Sequence, residues 1–287
     1  MTAASIATSS GGGVMGLIRR HPLRVFFLLT FGLTWAVWVP RAAGVPVGVV
    51  GQLSTWAPAV AAVLAAALTS GRAGVRRLLS TLGRWRVAWR WYVLVILGPA
   101  AFSAAVAGAY ALVGGSFAAA FPAASTAFPS LVLFLVLLTV TDGLGEEPAW
   151  RGFALPRLLE RHQALTASLL LGVVWGLWHL PLVFTEGSAL FGQPIWLLLT
   201  DIVAKSVLFT WVFLRTRGSV LLAALLHGST NLFAVSPTVA LTGSLVLPGL
   251  ALAAKWLLVI AAVLIGGRAL MRRTRPERSG QTAGRER

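Results

Sequence analysis

Apolar stretches of about 20 residues recur along the whole chain, separated by short linkers that carry most of its arginine. A run of ~20 apolar residues crosses a bilayer as a helix. Eight such stretches stand out, at 23–40, 51–69, 91–113, 129–147, 165–184, 194–214, 218–235 and 248–268. Composition agrees: 57% of the 287 residues are hydrophobic, 11% are charged, and the mean hydropathy is +0.82. A soluble domain carries about 25% charged residues and could not cover so apolar a chain with polar surface. The expected fold is all-α, a polytopic membrane helix bundle of about eight transmembrane helices.

The formal net charge of +16 reads as topology. The linkers at 70–90 (Arg72, Arg76, Arg77, Arg84, Arg86, Arg90), 151–163 (Arg151, Arg157, Arg161) and 215–217 (Arg215, Arg217) fall on one side of an eight-span chain. So do the N-terminal Arg19, Arg20 and Arg24 and the tail from Arg268. That face holds 21 arginines and the opposite one only Arg41. The positive-inside rule then puts both termini in the cytoplasm. Domains are expected as a flexible basic segment at 1–22, a bundle at 23–268 with its functional core at 129–235, and a disordered basic tail at 269–287.

Composition also removes chemistries. Without cysteine there is no disulfide, thiolate metal site or thiol nucleophile. The basic-aromatic stretch 84–91 suits the headgroup layer better than a nucleic acid, so no nucleic-acid partner is expected. No internal repeat supports an inverted-repeat transporter.

Ionisable side chains inside the membrane are costly and each is a functional candidate. They are Asp142, Glu146, Glu147, His179, Asp201, Lys205, His227 and Lys255. Asp201 and Lys205, four apart, read as a neutralising pair. Lys255 reads as a lone lysine that snorkels. His21 and His162 lie in polar segments and need no special account. His179 and His227 lie ~20 Å and ~13 Å from the cytoplasmic starts of their spans. With Glu146 they form a set that can activate water, as general base and partner or as a His₂Glu metal site. Asn231 shares a face with His227 and could donate to an oxyanion. Interhelical hydrogen bonds that glue the bundle are the alternative.

The two glutamates differ in their neighbours. Arg151 stands four after Glu147, as in an ion pair. Asp142 stands four before Glu146, a like charge that suits a base. Pro148 is expected to disturb the helix and push Glu147 from α geometry. Gly172 and Gly176 form a close-packing GxxxG that could carry His179 towards the fourth span. Trp175 is one turn from His179.

Glu146-Glu147-x-x-x-Arg151, Trp175 followed by His179, and His227-x-x-x-Asn231 together resemble the signature of the CPBP intramembrane proteases, which include the CAAX-type proteases and bacteriocin-processing enzymes (the Abi family). The resemblance covers about 50–268, with its core at 146–231. The motif here carries Pro148 and Trp150 where many relatives have plain apolar residues, and Trp175 where others have Phe. It implies a helical intramembrane endopeptidase that cuts a membrane-associated peptide or protein from the cytoplasmic side. By that likeness Glu146 and His179 activate water, His227 and Asn231 stabilise the oxyanion, and Glu147, Arg151 and Trp175 support the site. The cofactor is open between a divalent metal such as zinc, held by Glu146, His179 and His227, and a metal-free glutamate mechanism. The expected setting is a bacterial plasma membrane. A non-catalytic immunity or assembly protein and a proton-coupled transporter are the alternatives. Oligomeric state is not legible.

Overall fold

The computed structural model describes residues 13–234 and 244–266, and among them every regular element is helical. The expected tail at 269–287 and residues 1–12 of the expected N-terminal segment lie outside the described residues. Val14–Arg20 forms a short helix before the first span.

Among the described residues, six helices are long and apolar enough to cross a membrane. They are α1 (Pro22–Ala42), the run Gly48–Ser80 containing α2 (Ala57–Ser80), α3 (Trp89–Leu112), α4 (Phe128–Leu159), α6 (Ile195–Arg215) and α8 (Val246–Gly266). Two apolar helices are shorter: α5 (Ala164–Trp178) and α7 (Val220–Leu232). At 1.5 Å per residue they reach about 22 and 20 Å, less than the ~30 Å hydrocarbon core. Each of the eight apolar stretches in the sequence is thus centred on a helix, six of them of spanning length.

The ends of the short pair have local causes. His179 closes α5 with φ −78° and ψ −9°, and Pro181 follows, so the stretch read as one span at 165–184 breaks there into Leu180–Val183. Ser219 caps α7, its Oγ accepting from the Leu222 amide at 3.2 Å. In α2, Gly71 (φ 59°, ψ −155°) breaks the helix where the arginine-rich linker begins. Only glycine takes that conformation at no steric cost. Beyond the break Arg72, Arg76 and Arg77 are exposed while Leu78 is buried.

One apolar core joins α1, α2, α4, α5, α6 and α7 through Phe26, Ala65, Trp150, Leu171, Phe209 and Leu222. Where helices cross closest, glycine is present. A Cβ on Gly228 of α7 would lie 2.6 Å from the Thr139 amide nitrogen of α4, and one on Gly143 of α4 would overlap the Ala224 carbonyl of α7. These two glycines set the α4–α7 approach, which is the crossing that carries the buried acids and a histidine. The GxxxG of α5 faces elsewhere. Cβ atoms on Gly172 and Gly176 would meet Val203 and Leu199 of α6, at 2.8 Å to a Cα and 2.8 Å to a side chain. Ser206 Oγ locks that contact by donating to the Ser168 carbonyl at 2.8 Å. The motif therefore joins α5 to α6, not to α4. The aromatic face of α5 meets α4 instead, with Trp178 and Trp150 in edge contact at 5.7 Å.

Candidate active site

Glu146 and Glu147 lie on a stretch of α4 that is not plain α-helix. Thr139–Gly143 and Pro148–Ala154 are π-helical and flank the α-turn Leu144–Glu147. Pro148 has no amide hydrogen to place in the ladder, and the wider turn accommodates its ring. The expectation that Pro148 drives Glu147 out of α geometry is corrected: Glu147 keeps φ −67° and ψ −30°. The adjustment appears as π turns on either side rather than at the acid.

The two glutamates are both buried and differently bound. Glu147 Oε1 accepts from Arg151 Nη1 at 3.0 Å and from His227 Nδ1 at 2.9 Å. The Arg151 guanidinium also stacks 4.4 Å from the Trp175 ring and 4.7 Å from Phe209. Among the described residues, no Lys or Arg forms an ion pair with Glu146. Its Oε2 accepts two indole N–H groups, Trp150 Nε1 at 3.0 Å and Trp175 Nε1 at 2.7 Å. Its Oε1 faces His227 Nε2 at 3.8 Å. That separation is too long for a direct hydrogen bond, yet one oxygen atom could sit ~2.8 Å from both.

The partners set the tautomers. A carboxylate can only accept, so His227 Nδ1–H donates to Glu147 and Nε2 points to Glu146. At the end of α5 the His179 amide turns to the Gly176 carbonyl at 3.1 Å, which frees the Trp175 carbonyl. His179 Nδ1 takes it at 2.9 Å, so Nδ1 carries the hydrogen and Nε2 keeps a lone pair. Trp175 thus holds Glu146 through its indole and His179 through its backbone, while its ring packs 5.7 Å from His227.

Asn231 bonds Asp142 rather than either glutamate. Its Nδ2 donates to Asp142 Oδ2 at 2.8 Å, and Thr141 Oγ1 donates to Asp142 Oδ1 at 2.9 Å. The acid read as a like-charge neighbour of Glu146 is bonded to α7 through Asn231, and its charge still lies within electrostatic reach of Glu146. Asp201 and Lys205 form the expected pair at 2.8 Å. Lys255 is a correction: it does not stand alone but bonds Asp201 Oδ1, because α8 packs along α6 through Val259, Ala204 and Val207.

Sequence reasoning passed over Trp150 as a departure and missed Gly143 and Gly228. The signal for Trp150 was its spacing, four after Glu146 as Arg151 is four after Glu147. A three-donor metal set does not fit this arrangement. Two ligands at 2.0–2.1 Å in tetrahedral geometry lie ~3.3 Å apart, against 3.8 Å for Glu146 Oε1 and His227 Nε2. Among the described residues no three His, Asp or Glu side chains converge to hold an ion.

Residues 128–233 match the sequence model of the Type II CAAX prenyl endopeptidase Rce1-like family. The chain is also similar to CAAX prenyl protease 2 of Methanococcus maripaludis, 40% identical over 107 residues. That alignment covers 35% of this chain and 38% of the relative, so the chain spans well under half the length of the curated relative it matches. The matched segment 128–233 carries both glutamates, both histidines and Asn231. Over this segment, which brings α4, α5 and α7 together, the chain is similar to the Rce1-like CAAX proteases.

Proposed function

We propose that this integral membrane protein is an intramembrane endopeptidase in which Glu146, without a metal, is the base that activates water. The observation that carries the reading is the unequal treatment of two adjacent acids. Glu147 is tied to Arg151 and His227. Glu146 has one oxygen fixed by two tryptophans and the other turned to His227 across 3.8 Å.

The proposed chemistry follows from those atoms. Water between Glu146 Oε1 and His227 Nε2 gives its proton to Oε1 as its oxygen adds to the peptide carbonyl carbon. The carbonyl oxygen becomes an oxyanion. His227, with Glu147 on Nδ1, donates from Nε2 when protonated, and the second N–H of Asn231, not engaged by Asp142, is available to the same oxygen. Glu146 then returns the proton to the amide nitrogen as the C–N bond breaks, leaving a carboxylic acid and an amine. His179 Nε2 offers a second acceptor for the water proton. The substrate is proposed to be a membrane-associated peptide or protein, approached from the face where the arginines gather. That face would be cytoplasmic, in a bacterial plasma membrane, with both termini on it.

The test is cleavage of a peptide library by the purified protein in lipid nanodiscs, with wild type beside Glu146→Gln and His179→Ala. The expected result is turnover by wild type, insensitive to chelators, and loss of ~10²–10⁴-fold in Glu146→Gln, the range for one acid-base group. Absence of wild-type cleavage across the library, or equal cleavage by Glu146→Gln, would sink the reading.

A further inference from the structure

A second buried charge cluster lies on α6 and α8 and has no part in the chemistry above. Lys205 Nζ bonds Asp201 Oδ2 at 2.8 Å, and Lys255 Nζ bonds Asp201 Oδ1. Two ammonium groups therefore share one carboxylate, and the trio carries one positive charge more than it neutralises. An unmatched charge at mid-membrane is costly, and one lysine would have been enough to balance Asp201. The side chains are not sealed: Lys205 is 27% exposed, Asp201 19% and Lys255 12%.

Two observations place the trio beside the candidate site. Gly172 and Gly176 set Val203 and Leu199 against α5, so Asp201, which lies between those two residues on α6, stands level with the turn of α5 that carries Trp175. The Lys205 charge also falls within electrostatic reach of His179. A third observation limits the ligand. Lys205 is ten residues from either end of Ile195–Arg215, about 15 Å at 1.5 Å per residue. A lipid phosphate at the interface does not reach that depth, whereas a peptide bound for cleavage does.

We propose that Asp201, Lys205 and Lys255 form a receptor for a carboxylate of the peptide substrate. An ammonium has three N–H donors, and each lysine uses one on Asp201. Asp201 holds the two ammoniums side by side, so the oxygens of one incoming carboxylate can take a charge-assisted bond from each. An extended peptide advances ~3.3–3.6 Å per residue, so the recognised carboxylate stands within a few residues of the cut bond. It is either the chain's C-terminal carboxylate or an Asp or Glu side chain. The inference deepens the endopeptidase reading and rests on it for the identity of the ligand.

Binding to the Glu146→Gln protein in phosphatidylcholine nanodiscs separates the two claims. Three apolar fluorescent peptides of one sequence are compared: free-acid terminus, amidated terminus, and amidated terminus with one Glu replacing Gln near the end. At least one carboxylate peptide is expected to bind ten-fold or more tighter than the neutral amide, and which one identifies the source. Lys205→Gln and Lys255→Gln are each expected to bring its Kd to that of the amide, and Lys205→Arg to retain the preference. Equal Kd for all three peptides, or a preference that survives both Gln variants, overturns the proposal. So does a preference lost when phosphatidylglycerol replaces part of the phosphatidylcholine, which assigns the cations to lipid. The same peptides are then given to protein with Glu146 intact. Preferential binding without cleavage keeps the receptor and removes the endopeptidase, while cleavage without preference does the reverse.

Discussion

Two charge clusters sit inside the bundle, one on α4 and α7, the other on α6 and α8, and they are built with opposite excess. Glu146, Glu147 and Arg151 hold two acids to one base around His227, and Asp201, Lys205 and Lys255 hold two bases to one acid. In each, one pair is neutralised at four-residue spacing and one extra charge remains. The α4 cluster is sealed, with Glu147 and Arg151 at 0% exposure, whereas the lysine trio is partly open. The difference separates a group that must be held in one geometry from groups that must meet a ligand. Sealing strengthens every electrostatic interaction around the acids. Openness lets two flexible ammoniums find an anion.

Breaking the sealed pair is expected to have the largest effect. Arg151→Met leaves Glu147 as a buried charge with only His227 beside it, a change of about 3–5 kcal/mol in stability. Denaturant unfolding in detergent reads it, and a wild-type midpoint would show that the pair is not structural. Next comes Trp175→Phe, which keeps the ring packing and removes one donor from Glu146. A hydrogen bond to a charged group contributes about 1.5–3 kcal/mol, so kcat should fall ~10–150-fold with KM little changed. A rise in KM with kcat preserved would place Trp175 in substrate binding instead. Gly228→Ala forces α7 from α4 and is expected to cost about 1–3 kcal/mol through overpacking. Cleavage should fall with stability, and a neutral effect on both would show that the crossing is looser than described. The smallest effect belongs to the open cluster. Lys205→Gln should change stability by about 0–1 kcal/mol, as for partly exposed pairs. A loss as large as that of Arg151→Met would mean that the two clusters are equivalent structural pairs.

Much of this arrangement is legible in the sequence because its signals are local. Apolar runs mark the helices, and the four-residue spacings Glu147–Arg151 and Asp201–Lys205 read as pairs along one helix. What escaped is long-range. Nothing along the chain says that Lys255 reaches Asp201, 54 positions away, or that Trp175 reaches Glu146, 29 away. The GxxxG at Gly172 and Gly176 announces close packing but not its partner, and α6 proved to be that partner. The lengths of α5 and α7 depend on where the ladder stops, at His179 before Pro181 and at the Ser219 cap, which a hydropathy window averages away. Trp150 reads as a departure from the motif until its indole is seen on Glu146 Oε2.

Glu146→Gln measured beside Glu147→Gln tests the proposed division of work between the two neighbouring glutamates. For each variant, kcat on a cleavable peptide and the unfolding midpoint are determined in the same lipid. Glu146→Gln is expected to keep a near-native midpoint and to lose turnover by ~10²–10⁴-fold. Glu147→Gln lowers the midpoint, because Arg151 is left buried without its carboxylate, and retains measurable turnover wherever it stays folded. Native stability with no turnover in Glu147→Gln, together with turnover in Glu146→Gln, would contradict that division.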